Sequence, residues 1–168
     1  MTAATRARTD VVAAVRAVPD PEVPVISIED LGILRSVEVD GEVVRVVITP
    51  TYSGCPAMRA IEDGIGAVVA AHGLRAEVDV RLAPAWTTDW MSERGRDALA
   101  RFGIAPPQPG AGVAAAGPVS LDLSVRRVAC PLCGSEHTEQ ISRFGSTSCK
   151  ALRRCLDCHE PFEEFKAI

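Results

Sequence analysis

Four of the six cysteines in this chain come as two pairs whose spacing suits metal binding. Cys130-Pro131-Leu132-Cys133 and Cys155-Leu156-Asp157-Cys158 each set two thiols two residues apart. A tight turn of that length aims both sulfurs at one point and leaves backbone N–H groups free to stabilise thiolate charge. Two such turns make a four-thiolate cage, the donor set of structural zinc sites. A rubredoxin-like iron site, an iron–sulfur cluster and reactive dithiols use the same ligand type, and spacing leaves all three open. A thioredoxin-like role needs a single pair inside a βαβ pattern, and neither pair has that setting. Cys149 is a fifth thiol nearby. With four better-spaced ligands it is expected to be a bystander, and His137 and His159 to be solvated.

The sixth thiol, Cys55, stands in Thr49-Pro50-Thr51-Tyr52-Ser53-Gly54-Cys55-Pro56, ahead of a helical pattern. Pro56 suits the first helical position, which puts Cys55 at or beside the N-cap. A thiol there meets unpaired N–H groups and the positive end of the helix dipole, and both favour a thiolate able to attack or to ligate. A small buried apolar cysteine is an equally ordinary outcome. No histidine lies close in sequence to serve as its base. Asp20-Pro21-Glu22-Val23-Pro24 is a stiff loop with two carboxylates. They could serve chemistry or a cation, but the simpler expectation is that Asp20 caps a turn and Glu22 is solvated.

The elements that would position these residues follow from periodicity. Val11, Val12, Val15 and Val18 share one face of a helix over 10–18, which Asp10 can cap and Pro19 must end. Runs 33–39 and 43–49 flank Asp40-Gly41 as a hairpin. Met58, Ile61, Ile65, Val68, Val69 and His72 line a second helix, with His72 packing or capping its far end. Val78, Val80 and Leu82 alternate with charges in a third strand with one wet face. Trp86 and Trp90 stand in a loop that runs into a helix over about 88–102, and could wall a site, bind a partner or staple that helix to the sheet. Strands are expected over 121–128, 138–142 and after the 144–150 loop, and the second cysteine pair with Phe162 to Phe165 closes the module.

The fold class expected is α+β. A small α/β domain with a three-stranded sheet and about three helices occupies 1–104. A Pro/Gly/Ala linker over 105–119 and a small all-β ribbon over 120–168 follow. The 168 residues carry 18 Lys/Arg against 22 Asp/Glu, a formal charge of −4, which gives no general attraction to nucleic acid. Within residues 105–168 seven Lys/Arg balance seven Asp/Glu, so the ribbon is not favoured as a nucleic-acid binder either. No apolar run approaches a membrane span, the start has no signal-peptide apolar core, and paired thiols without an export signal suggest a reducing cytoplasm.

Residues up to about 104 resemble the SufT-like iron–sulfur assembly family. The pieces that carry the likeness are Asp20-Pro21-Glu22, Asp30-Leu31-Gly32, the Thr49 to Pro56 turn and the Trp86 to Met91 segment. Nearly the whole chain resembles one branch of that group, the family of phenylacetyl-CoA epoxidase D subunits, which adds a Pro/Gly linker and a four-cysteine ribbon. Thr49 to Met58, Pro84 to Trp90 and Phe144 to Leu152 are its long matches. The likeness implies an accessory role in bacterial aerobic phenylacetate degradation, without epoxidation chemistry of its own. It implies help in maturing an iron–sulfur or other metal centre of a di-iron oxygenase or its flavin and [2Fe–2S] reductase. Cys55 would be the transfer thiol for a transient iron–sulfur cluster, and Asp20 and Glu22 would shape or buffer the site. Cys130, Cys133, Cys155 and Cys158 would hold structural Zn²⁺ in a docking ribbon. Epoxidase catalytic or reductase subunits would be the partners. One cysteine cannot complete a cluster's coordination, so a homodimer, a partner's ligands or a small thiol is implied as well. A structural or electron-transfer subunit is the alternative, and an enzyme with a nucleophilic Cys55 ranks last. Two positions depart from the pattern: relatives carry a cysteine where this chain has Ala167 and an aromatic where it has Arg153.

Overall fold

The computed structural model describes residues 3–108 and 127–167, with side chains from Arg8 onward. Helix α1 spans Ala3–Arg16. It starts a turn and more before the expected Asp10, because the Ala- and Arg-rich stretch ahead of it has high helix propensity. Asp10 therefore lies inside the helix and caps nothing. Val11, Val15 and Val18 are buried, and Val12 is half-buried.

Strand β1, Leu34–Asp40, pairs antiparallel with β2, Val43–Ile48, around a two-residue turn. Gly41 takes the positive φ, 59°, that the turn demands. Helix α2, Ala57–Ala71, then carries the chain to β3, Arg75–Val80, which lies parallel to β2. Parallel neighbours need such a crossover. The sheet order is β1-β2-β3. Helix α2 buries Ala57, Ile61, Ile65 and Val69, one residue per turn, while Met58 and Val68 sit half-buried at the margins of that face. His72 is exposed and its Nδ1 lies 2.9 Å from the Val68 carbonyl, a helix-end contact as expected. Val44, Val46 and Ile48 of β2 are fully buried. Each such aliphatic side chain contributes about 1.5–3 kcal/mol of transfer free energy, and together they form the core of this part of the molecule.

Contacts divide the chain into two units, residues 1–86 with 90–95, and residues 87–89 with 96–168. The division falls inside helix α3, Glu93–Phe102, which follows a 3-10 turn over Thr88–Trp90. In the second unit, β4 (Ile104–Ala105), β5 (Thr138–Ser142), β6 (Lys150–Cys155) and β7 (Pro161–Phe165) make a sheet of order β4-β7-β6-β5. Ala105, where the linker was expected to begin, is thus a strand residue parallel to β7. Most of the expected linker, and positions 121–126 of the expected strand, lie outside the described residues. Arg127 and Val128 carry no strand.

Candidate functional site

The second unit holds the cysteine cage. The Sγ atoms of Cys130, Cys133, Cys155 and Cys158 all lie within 4.8 Å of one another. Cys130 is 3.8 Å from Cys158, and Cys133 is 3.6 Å from Cys155, so the thiols are neither bonded nor scattered. Four thiolates on zinc–sulfur bonds of ~2.3 Å occupy tetrahedron corners about 3.8 Å apart, close to the Cys130–Cys158 and Cys133–Cys155 separations, so the donor set suits a tetrahedral ion. Two matching turns build it. The Cys130 N–H bonds the Ser135 carbonyl at 2.8 Å, and the Cys155 N–H bonds the Glu160 carbonyl at 3.0 Å. Gly134, just past the first pair, has φ 77°, and His159, just past the second, has φ 65°.

The charge state of the cage is uneven. The Cys158 backbone N–H brings the Cys155 thiol down to about 6, against burial. Cys158 itself, despite an N–H from Glu160, is pushed up to about 12 by burial and its neighbouring thiols. Four crowded sulfurs cannot all ionise until a cation shares their charge. Behind them, Ala105, Val128, Cys130, Cys155 and Phe162 form a small buried cluster against which Cys158 packs. Cys149 is buried outside the cage, its Sγ 3.0 Å from the Thr147 hydroxyl. His137 is exposed, as expected, yet its Nδ1 lies 3.1 Å from an oxygen of Asp157.

Cys55 belongs to the first unit. Pro56 is the N-cap of α2, which places Cys55 just outside it, and the Cys55 N–H bonds the Tyr52 carbonyl at 3.2 Å. The thiol is half-buried, and burial pushes its pKa up. An N–H from Ala57 and the Thr51 hydroxyl pull it down, while the charges of Glu22 and Asp20 push it further up. The expectation of a helix-stabilised thiolate is therefore corrected: the helix end is felt, but desolvation and two carboxylates outweigh it. The same influences put Cys55, Glu22, Asp20 and Thr51 in one neighbourhood. Thr51 gave no signal of its own in sequence, because its role depends on the turn's geometry.

The loop holding the carboxylates is tied shut. The Asp20 N–H bonds the Ile26 carbonyl at 2.9 Å, and the Ile28 N–H bonds the Val18 carbonyl at 2.9 Å. The buried Asp20 carboxylate accepts the Glu22 and Val23 N–H groups at 2.8 and 2.9 Å, so it does cap a turn, while Glu22 is half-buried rather than fully solvated.

Trp86 faces inward and Trp90 is half-buried. Trp86 is buried and its indole donates to the Leu31 carbonyl at 3.2 Å, and Trp90 lies under Arg35, 3.6 Å from guanidinium carbon to ring centre. Gly32, at φ 79°, admits Trp90 because a Cβ there would fall 2.6 Å from its carbonyl oxygen. Asp30 completes the clamp by accepting the Ser92 hydroxyl at 2.7 Å and Arg94 at 3.0 Å. These partners hold its carboxyl below the usual range despite the cost of burial. Sequence reasoning saw the tryptophans but not the Asp30 network, in which Ser27 is local but Ser92 and Arg94 lie more than sixty residues away.

Among the described residues no helix is long and apolar enough to cross a membrane. Comparison with known proteins assigns the two units different kin. Residues 8–80 match the family model described as iron–sulfur cluster assembly protein, and residues 114–166 match the PaaD zinc beta ribbon domain. The chain is 45% identical over 152 residues to an Escherichia coli (strain K12) protein provisionally named as the D subunit of a 1,2-phenylacetyl-CoA epoxidase. That alignment covers 90% of this chain and 87% of the relative. An Fe-S protein maturation auxiliary factor of Porphyromonas gingivalis (strain ATCC BAA-308 / W83) is 38% identical over 87 residues, half of this chain and 82% of that protein. In structure, the chain resembles the crystal structure of a domain of unknown function, DUF59, from Bacillus anthracis. The TM-score is 0.51 at 27% identity, covering 56% of this chain and 92% of the other.

Proposed function

The chain belongs to the family of phenylacetyl-CoA epoxidase D subunits, and from that premise we propose that it is an accessory protein of an epoxidase system in aerobic phenylacetate degradation. Its task is to help mature an iron–sulfur or other metal centre of the oxygenase or its reductase, in the cytoplasm. The observation that carries this reading is Cys55, half-buried before α2 where the charges of Glu22 and Asp20 reach its thiol, within the stretch matched by the iron–sulfur assembly model. Cys130, Cys133, Cys155 and Cys158 hold Zn²⁺, which supplies structure to the ribbon and leaves it free to dock the catalytic or reductase subunits.

The chemistry of Cys55 follows from its surroundings. Burial keeps the thiol protonated and slow to react until a cation arrives. Ligation then releases the proton, for which the carboxylates of Glu22 and Asp20 are nearby acceptors. The Ala57 N–H and the Thr51 hydroxyl stabilise the thiolate once it forms. One thiol leaves the cargo's other positions to a second chain, a partner or a small thiol.

Metal analysis with a visible spectrum, on wild type and Cys55→Ser after anaerobic iron–sulfide reconstitution, tests this. One zinc per chain in both, with cluster absorbance in wild type alone, is expected. Zinc alone in both proteins would sink the carrier role. Iron held equally by both would move the redox centre to the ribbon and favour an electron-transfer role.

A further inference from the structure

Asp157 stands between the two ligands of the second cysteine turn, yet its carboxylate is spent on the first turn. One oxygen accepts the Ser135 hydroxyl, and the other lies 3.1 Å from His137 Nδ1. The Ser135 oxygen in turn accepts the His137 backbone N–H at 3.0 Å, so the three groups form a closed ring. These partners hold the Asp157 carboxyl below its ordinary range, with Ser135 the largest influence and His137 next. Beside this ring, the Leu156 N–H bonds the His137 carbonyl at 2.8 Å. The two turns thus meet through backbone and side chain on the outside of the cage, as well as through the four sulfurs inside it.

Each turn supplies only two ligands, so an ion stays bound only while the turns stay together. Separating them by about one ångström is enough to break two of the four metal–sulfur bonds. We propose that Asp157 is a positioning residue for the cage: its bonds to Ser135 and His137 latch the second turn to the first and slow the loss of the ion. The inference rests on the zinc reading of the cage. The Asp157 carboxylate spends its bonds on Ser135 and His137 and not on a sulfur, so it acts on how long the turns stay together and not on what the ion is bonded to. Partners hydrogen-bonded directly to metal ligands change affinity about 10- to 100-fold when removed. One step further out and exposed to solvent, Asp157 is worth less, about 3- to 10-fold in release rate.

The test follows transfer of zinc from the full-length, zinc-loaded chain to a coloured chelator, beside the spectrum of the cobalt-substituted protein. Asp157→Ala is expected to release zinc about 3- to 10-fold faster while keeping the four-thiolate cobalt spectrum. Ser135→Ala with His137→Ala is expected to match it, and the triple variant to be no faster, because all three remove one latch. Asp157→Asn, which keeps an acceptor for Ser135, is expected to fall between. Unchanged release, or effects that add in the triple variant, would overturn the latch. So would a cobalt spectrum altered in Asp157→Ala, which would mean that the residue acts on coordination itself. Should Asp157→Ala not fold, the Ser135/His137 pair gives the same reading. A wild-type chain that takes up neither zinc nor cobalt would remove the cage reading itself, an outcome distinct from these.

Discussion

Each of the two units of this chain is held together by different physics. The first buries Val11, Val15, Ile28, Ile33, Val44, Val46, Ile48, Ile61, Ile65 and Val69 to zero exposure, an aliphatic core shared by two helices and a sheet. The ribbon's cluster has Ala105, Val128 and Phe162, with two of its five members being metal-site cysteines. It also buries what cores usually exclude. Lys150 pairs with Glu163 at 2.9 Å, and Arg153 pairs with Glu164 at 3.0 Å, three of these four residues being under a tenth exposed. Hydrophobic burial suffices for the first unit. The second buries fewer aliphatic side chains, Leu99 and Ile104 among them, and sets four thiols and paired charges beside Phe162 and Phe165.

Removing the ion should break the comparison most visibly. Apparent binding free energies of structural zinc in small domains run to about 10–16 kcal/mol, far beyond what the ribbon's few apolar residues supply. Chelation is expected to unfold residues 127–167 and to leave the first unit intact. Hydrogen exchange followed by mass spectrometry would show fast exchange over β5, β6 and β7 and over β4, which pairs with β7, while β1, β2 and β3 stay protected. Protection retained in those strands without metal would mean that the ribbon core is self-sufficient after all.

A smaller effect probes the buried charges. Arg153 Nη1 bonds Glu164, its Nη2 bonds the Thr138 hydroxyl at 3.2 Å, and its Nε has no partner among the described residues. Glu164→Ala strands that guanidinium and should cost about 3–5 kcal/mol in the zinc-loaded protein, read from urea unfolding. Replacing both partners, as Arg153→Phe with Glu164→Leu, should be close to neutral, because it restores to β6 the aromatic that the family resemblance leads one to expect there. Equal losses in the single and double variants would show that the pair is not an isolated liability but part of what specifies the ribbon.

That pair also marks where the sequence stopped being readable. The β1–β2 hairpin, α2 and the two cysteine turns all announce themselves within a dozen residues, through alternation, a repeating apolar face and ligand spacing. Arg153 and Glu164 are diagonal partners, since Arg153 lies opposite Phe162 in the ladder and Glu164 opposite Ala151. Nothing short of the register reveals them. The same holds for β4, two residues whose strand character comes wholly from lying beside β7. It holds for Asp30, which meets Ser92 and Arg94 only after folding. At Cys55 the local signal was real but incomplete. The helix end is in the sequence, whereas the burial and the carboxylates of a loop some thirty residues earlier are not, and they reverse the sign. Contacts also divide the chain at Gly95 and Arg96, inside a helix that composition alone assigns to the first unit.

The smallest expected effect compares the two cysteine turns with each other. Both end in a residue with positive φ, glycine at 134 and histidine at 159. A side chain in that conformation costs roughly 1–2 kcal/mol, because its Cβ crowds the carbonyl oxygen, while glycine adopts it freely. Glycine also loses more backbone entropy on folding, which returns part of that gain. His159→Gly is therefore expected to stabilise the zinc-loaded ribbon by about 0.5–1 kcal/mol, read as a later unfolding midpoint in urea with the slope unchanged. The thiols, their N–H donors and the Asp157 bonds are untouched by the change, so zinc release should slow no more than the added stability allows. A loss of stability instead would mean that the His159 side chain contributes more to the second turn than its backbone strain costs, through its charge beside Asp157, which already lowers that carboxyl after Ser135 and His137.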